Sequence, residues 1–145
     1  MKRIFRTSDD WSLAILRVIA GCVFFAHGAQ KVLGWFGGYG FSATMNTFTH
    51  HMGIPTVFAF LAICAEFLGG LGLIAGFLSR IAALGIAIEM IVAVMKFHRH
   101  VGFFMNWNGT QRGEGFEYHL LAIGIMLVIL VKGSGSLSVD RALSS

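Results

Sequence analysis

The sequence predicts an all-α polytopic membrane protein: an antiparallel four-helix transmembrane bundle with a short amphipathic helix in the first outer loop. Three observations predict it. Apolar residues make up 56% of the 145-residue chain and charged residues only 12%, against about 45–50% and about 25% in soluble domains. The mean hydropathy is +0.74. The apolar residues gather into four segments, each close to the ~20 residues that a spanning helix needs, separated by charged and glycine-rich stretches. One domain over residues 1–145 follows, with spans at about 12–33, 55–77, 80–97 and 116–131.

The first span has Ser8, Asp9 and Asp10 before it as candidate caps. The basic start MKRIFR resembles a signal peptide, but Asp9, Asp10 and Arg17 interrupt it, which predicts an uncleaved first helix. The connection GWFGGYGFSATMNTFTHHMGIP carries Phe41, Met45, Phe48 and Met52 at helical spacing, the apolar stripe of a short helix at the membrane surface. Spans two and three are joined only by GFLSR and must form an antiparallel hairpin. HRHVGFFMNWNGTQRGEG follows, with a turn at Asn108-Gly109, and leads to span four. The tail KGSGSLSVDRALSS reads as polar and loose.

Lys2, Arg3, Arg6, Arg80, Lys132 and Arg141 fall on one side of the bilayer, and Lys31, Lys96, Arg99 and Arg112 on the other. That majority places both termini in the cytoplasm. The eleven basic residues are scattered, which argues against nucleic acid as a partner and leaves the lipid bilayer as the surroundings. Cys22 and Cys64 lie in separate apolar segments without a Cys-x-x-Cys pattern, which disfavours a thiolate metal site.

Polar residues inside the spans carry the functional argument, because each is costly in lipid. His27, Gln30 and Lys31 share a helix face near the outer end of span one. Snorkelling explains Lys31 alone; the three together suggest a polar pocket. Glu66 lies near the bilayer midplane, and Gly69 and Gly70 beside it allow another helix to come close. Glu89 has a similar depth and reads as structural, a pairing partner for Arg17 or a protonated carboxyl. Gly72 and Gly76 form a small-xxx-small pair. In span four, Glu117, Leu120, Leu121 and Gly124 share a face, and Glu117 is at the right depth for an ion pair with Lys31. His98 and His100, like His50 and His51, are poorly spaced for a chelate, so haem and metal are disfavoured. Trp35, Phe36, Tyr39, Phe103, Phe104 and Trp107 form an interfacial belt or the rim of a pocket for a flat apolar ligand such as a quinone head group.

The succession LRVIAGCVFFAHGAQKVLGWFGG, the proline before span two, AEFLGGLGLIAGFLSRIAAL, the GFF after HRHV, and GEGFEYHLL leading to GSGSLSVDR resembles the DoxX family of small bacterial and archaeal membrane proteins. The resemblance implies a four-helix domain in a prokaryotic cytoplasmic (inner) membrane. It also implies a context of respiratory, sulfur or oxidative-stress redox chemistry, including subunits of thiosulfate:quinone oxidoreductase type.

The leading expectation is therefore a quinone-linked redox protein with His27, Glu66 and Glu117 as catalytic residues. Gln30, Lys31, Trp35, His98, Phe103 and Trp107 would line the quinone site, and electrons would come from a partner redox protein or a direct substrate. The alternatives are a non-catalytic membrane anchor for redox enzymes and a small proton-coupled carrier. A homo-oligomer is compatible with each, and would supply the symmetry that a carrier needs.

Overall fold

The structure, a computed structural model, describes residues 2–144, with side chains from Ile4 onward. The side chains of Lys2 and Arg3, counted above as topology signals, lie outside it, as do residues 1 and 145. All regular elements among the described residues are helical: α1 (Lys2–Phe5), α2 (Trp11–Leu33), α3 (Gly40–Asn46), α4 (Thr56–Ala75), α5 (Ser79–Ala93), α6 (Glu117–Lys132) and α7 (Val139–Ser144). A wider-wound turn, Thr47–His51, prolongs α3, and another, Val94–His98, prolongs α5.

Among the described residues, three helices are long and apolar enough to cross a membrane: Trp11–Leu33, Thr56–Ala75 and Ser79–His98. The expected fourth, α6, has only 16 residues, about 24 Å against a hydrocarbon core of about 30 Å. It nevertheless packs along α5 and touches α2, while α4 lies against both α2 and α5. Phe24, Leu73, Ile86, Met126 and Ile129 fill the centre. Outside it, Ile19, Phe58, Leu68, Ile88, Leu121 and Val131 are exposed all round the molecule, a surface suited to lipid and not to water. The molecule has a terminal end, where α2 and α5 begin, and a loop end, where α4 and α6 begin.

The closest crossing is that of α2 with α4. A Cβ on Gly28 would lie 2.4 Å from Phe67 Cα, and one on Gly70 would lie 2.5 Å from the Phe25 nitrogen. Backbone meets backbone there, as small residues permit. The expected close approach beside Glu66 is therefore made, and the helix that makes it is α2. Gly72 and Gly76 do not form a crossing. Gly76 ends α4 with φ 67, and its missing Cβ leaves room for Ser138 of the tail.

Asp10, one of the three candidate caps, accepts from the amides of Ser12 (2.9 Å) and Leu13 (3.3 Å) and starts α2. The helix in the first long connection is present at α3; of its stripe, Met45 and Phe48 are half-buried, whereas Phe41 and Met52 stay exposed. Gly109 takes φ +67 in the turn expected at Asn108-Gly109.

The tail is not loose. Ser134, Ser136 and Asp140 are buried, and Asp140 caps α5 from a distance by accepting from Leu78 N (2.7 Å) and Ser79 N (3.1 Å). Arg17 is not paired with Glu89; its guanidinium donates to the carbonyls of Ser134 (2.9 Å), Ile74 (2.7 Å) and Leu137 (3.0 Å). The serines that made the tail read as flexible are its attachment points.

Candidate functional site

The α2/α4 crossing fixes the site. Gly28 meets Phe67, so Lys31, one turn further along α2, comes level with Glu66, the residue before Phe67. Helical side chains lean toward their own N-terminus. Lys31 therefore leans from the loop end into the molecule, Glu66 on the opposed helix leans toward it, and the two form an ion pair with side chains 22% and 7% exposed. The ammonium is thus engaged by Glu66 rather than by the loop-end surface that snorkelling would reach. The ion pair expected with Glu117 is absent. Glu117 instead accepts from Met105 N (2.8 Å) and Trp107 Nε1 (3.3 Å), holding the long connection onto the start of α6.

Glu89 of α5 completes the group. Its carboxyl lies against that of Glu66 and within the field of the Lys31 ammonium. A single ammonium thus serves two carboxyls halfway along their helices. Tyr118, at the start of α6, stands in the field of both carboxyls and has its ring 6.4 Å from that of His27. His119, next to it, is buried with its ring 4.1 Å from His98. Among the described residues, Glu89 Oε2, Tyr118 Oη and His119 Nδ1 are buried here without a hydrogen-bond partner, Glu66 Oε2 has only its ion pair, and one further such atom, Arg80 Nε, lies at the terminal end. Buried polar atoms are normally satisfied, so such a concentration at one place requires a reason.

Of the residues expected at a site, Lys31 and Glu66 meet, with His27 at the edge. His27 itself is exposed, and Gln30 donates to the Phe36 carbonyl at 3.2 Å, shaping the turn after α2. Trp35, Phe103 and Trp107 are exposed at the loop end, at 53%, 44% and 83%, as an interfacial belt requires. His98 reaches the group only through His119. Tyr118 and His119 were missed because the face of α6 was misread: Leu120 and Leu121 are 55% and 70% exposed, and the buried face carries Ala122, Met126 and Ile129. Counting back from Ala122 by three and four gives His119 and Tyr118. The small residue at 122 was the available signal.

A second feature is an apolar groove of about 610 Å³ between α4 and α5, where small residues such as Gly69, Gly72, Ala82 and Gly85 lie among larger apolar ones, and Cys64 is part of its lining.

The DoxX family profile matches residues 12–99, from the start of α2 to the end of the α5 extension. The chain belongs to the DoxX family. Two proteins similar to it span nearly the same length. Inner membrane protein YqjF of Escherichia coli (strain K12) is 28% identical over 136 residues, covering 94% of this chain and 95% of its own. "Putative oxidoreductase CatD" of Bacillus subtilis (strain 168) is 29% identical over 126 residues, covering 87% and 82%. No solved structure matches the chain significantly. Membership and the apolar helices make this DoxX protein a membrane protein. The matched region holds Lys31, Glu66 and Glu89 but stops before Tyr118 and His119.

Proposed function

We propose that the Lys31–Glu66–Glu89–Tyr118 group is a proton-exchanging site for a quinone, and that the protein serves a membrane redox system. The observation that carries this reading is the set of unpartnered buried polar atoms gathered from α5 and α6 around an intramembrane ion pair. A quinone's oxygens are acceptors, and they fit a site whose ammonium and phenol are donors. Its reduction to the quinol takes up two electrons and two protons. Lys31 and Tyr118 would bind and orient the oxygens, and His27 would add a donor at the rim. Glu66 and Glu89 would hold and pass protons, since charge neutrality in lipid calls for a proton on one of two carboxyls that share one ammonium. Electrons would come from a partner redox protein or a substrate. A relative that bears the name oxidoreductase is consistent with this reading.

The same reading makes α6 a fourth span. Its 16 residues run from Glu117 to Lys132 with no charge between, and modest local thinning or flanking-residue adjustment accommodates a short helix. It also places both termini in the cytoplasm. The support for that orientation is the majority of basic residues at the terminal end.

The test is a titration of the protein in lipid nanodiscs with decylubiquinone, combined with mass spectrometry of the organic extract of the purified protein. Saturable binding that is lost in Lys31→Met is expected. A parent protein that neither carries nor binds quinone refutes the reading and favours a membrane anchor for partner enzymes.

A further inference from the structure

His98 and His119 belong to neither the binding group nor the core in any simple sense. His119 is 7% exposed, yet its Nδ1 has no partner. An orphaned ring nitrogen carries a desolvation penalty where an apolar side chain would pack without one. Its ring lies 4.1 Å from that of His98, with planes inclined by 37°, and 5.5 Å from that of Tyr118. His98 is half-buried on the turn that ends α5, so one member of the pair is near the loop-end surface and the other is inside. His98 Nδ1 is 2.8 Å from the Glu114 carbonyl. A carbonyl only accepts, so Nδ1 carries the hydrogen and Nε2 is left with a lone pair.

We propose that His98 and His119 are the proton-entry step of this membrane protein, linking the loop-end surface through Tyr118 to the Glu66/Glu89 carboxyls. The proposal rests on the reading of those carboxyls as a proton-exchanging site. Of the other titratable groups nearby, Arg99 Nε donates to His100 Nε2 (3.0 Å), Glu114 accepts from Asn106 N (2.7 Å), Glu117 accepts from Met105 N (2.8 Å), and Lys96 is exposed on the same turn as His98. His98 Nε2 gains an N–H bond as an O–H bond of external water breaks. The proton passes to His119 and the Tyr118 hydroxyl, by ring rotation or a bridging water, and ends on a carboxylate oxygen. Each donor regains its proton from the loop-end side, and no electron moves.

The experiment is infrared spectroscopy of the protein in nanodiscs after transfer to deuterium oxide, following the carbonyl stretch of a buried carboxylic acid, assigned by its loss in Glu66→Gln or Glu89→Gln. His119→Phe and His98→Phe are each expected to slow the deuterium exchange of that band by about 100-fold, a size typical of a positioned acid–base group. His119→Gln should recover part of the rate, and His100→Phe should leave it unchanged. If His119→Phe does not fold, His98→Phe, at a half-buried position, decides. Exchange rates equal to the parent's in the histidine variants overturn the proposal, as does a parent without a protonated carboxyl. Decylubiquinone binding, measured on the same samples, separates the two ideas. Unslowed exchange with quinone still bound removes the entry path alone, and slowed exchange without any quinone binding removes the quinone and keeps the path.

Discussion

Replacing Lys31 should damage the fold more than replacing the carboxylate it pairs with. An ammonium and a carboxylate in contact attract by about 4 kcal/mol at an effective dielectric constant near 20. Lys31 keeps 22% of its side-chain exposure and Glu66 only 7%, so dehydration of the pair offsets part of that attraction. Lys31→Met removes the group's only cation and leaves two carboxyls against each other in lipid, at a cost of about 3 kcal/mol. Glu66→Gln leaves Glu89 within the field of the ammonium, and its amide can still accept a hydrogen bond, so its cost is about 1 kcal/mol. The double variant should cost no more than Lys31→Met alone, because the second change removes a carboxylate that has already lost its partner. The assay is reversible unfolding in mixed dodecylmaltoside and SDS micelles, read by circular dichroism. A Glu66→Gln variant less stable than Lys31→Met, or a double variant that shows the two losses added in full, would refute the reasoning.

Three further outcomes are expected. Gly28→Ala places a Cβ 2.4 Å from Phe67 Cα and should cost about 1–3 kcal/mol in the same unfolding assay, as overpacking does; Gly124→Ala, which meets no atom within 4 Å, should be neutral or slightly stabilising. Asp140→Ala uncaps α5 and frees Ser134, and should lower stability by about 2 kcal/mol, with faster proteolysis of residues 133–144 as a second readout. Asp9, outside the membrane, has its carboxyl held below its usual 3.8 by hydrogen bonds from Arg141 and Ser136. A depressed folded-state value means that the Asp9 contribution is present above the unfolded value and is lost as pH falls through the folded one. Between about pH 5 and about pH 2 the thermal midpoint of Asp9→Asn should therefore fall less than the parent's, and added salt should shrink the difference, since the pair is solvent-exposed.

What was legible in the sequence follows from the range of each signal. Three of the four long apolar runs, the Asp10 cap and the glycine turn at 109 are local statements, and they stand. Glu66 was conspicuous because a carboxylate amid apolar residues contradicts its surroundings. Its partner was another matter, because the partner depends on which helix presses against Gly70, and that is a property of two segments 40 residues apart. The tail failed for the same reason. Its serine-rich composition resembles a linker, yet its hydroxyls and carbonyls meet Ser79, Asp140 and Arg17, and no local pattern shows that. The faces of α6 were obscured by uniformity: a helix apolar all round has no moment from which to read its buried side.

The two cations of α2, buried Arg17 and half-buried Lys31, explain why function is proposed for one end of the molecule. Arg17 is 1% exposed, and its three nitrogens donate to carbonyls of Leu73, Ile74, Ser134, Ser136 and Leu137. Those acceptors come from the end of α4 and from the tail, so the guanidinium ties the two together. No donor of Arg17 is left over, and a ligand would have to break bonds already made. Lys31 sits amid the opposite arrangement. Beside its ion pair stand a carboxyl oxygen of Glu89 and the phenol of Tyr118, both buried without partners, and the orphaned imidazole nitrogen of His119 follows next along α6. If that end were only structural, apolar residues at 89, 118 and 119 would stabilise it further by removing the unsatisfied groups. Retaining polar atoms that stabilise nothing by themselves is what the proposed hydrogen-bonding and proton-exchanging site would require.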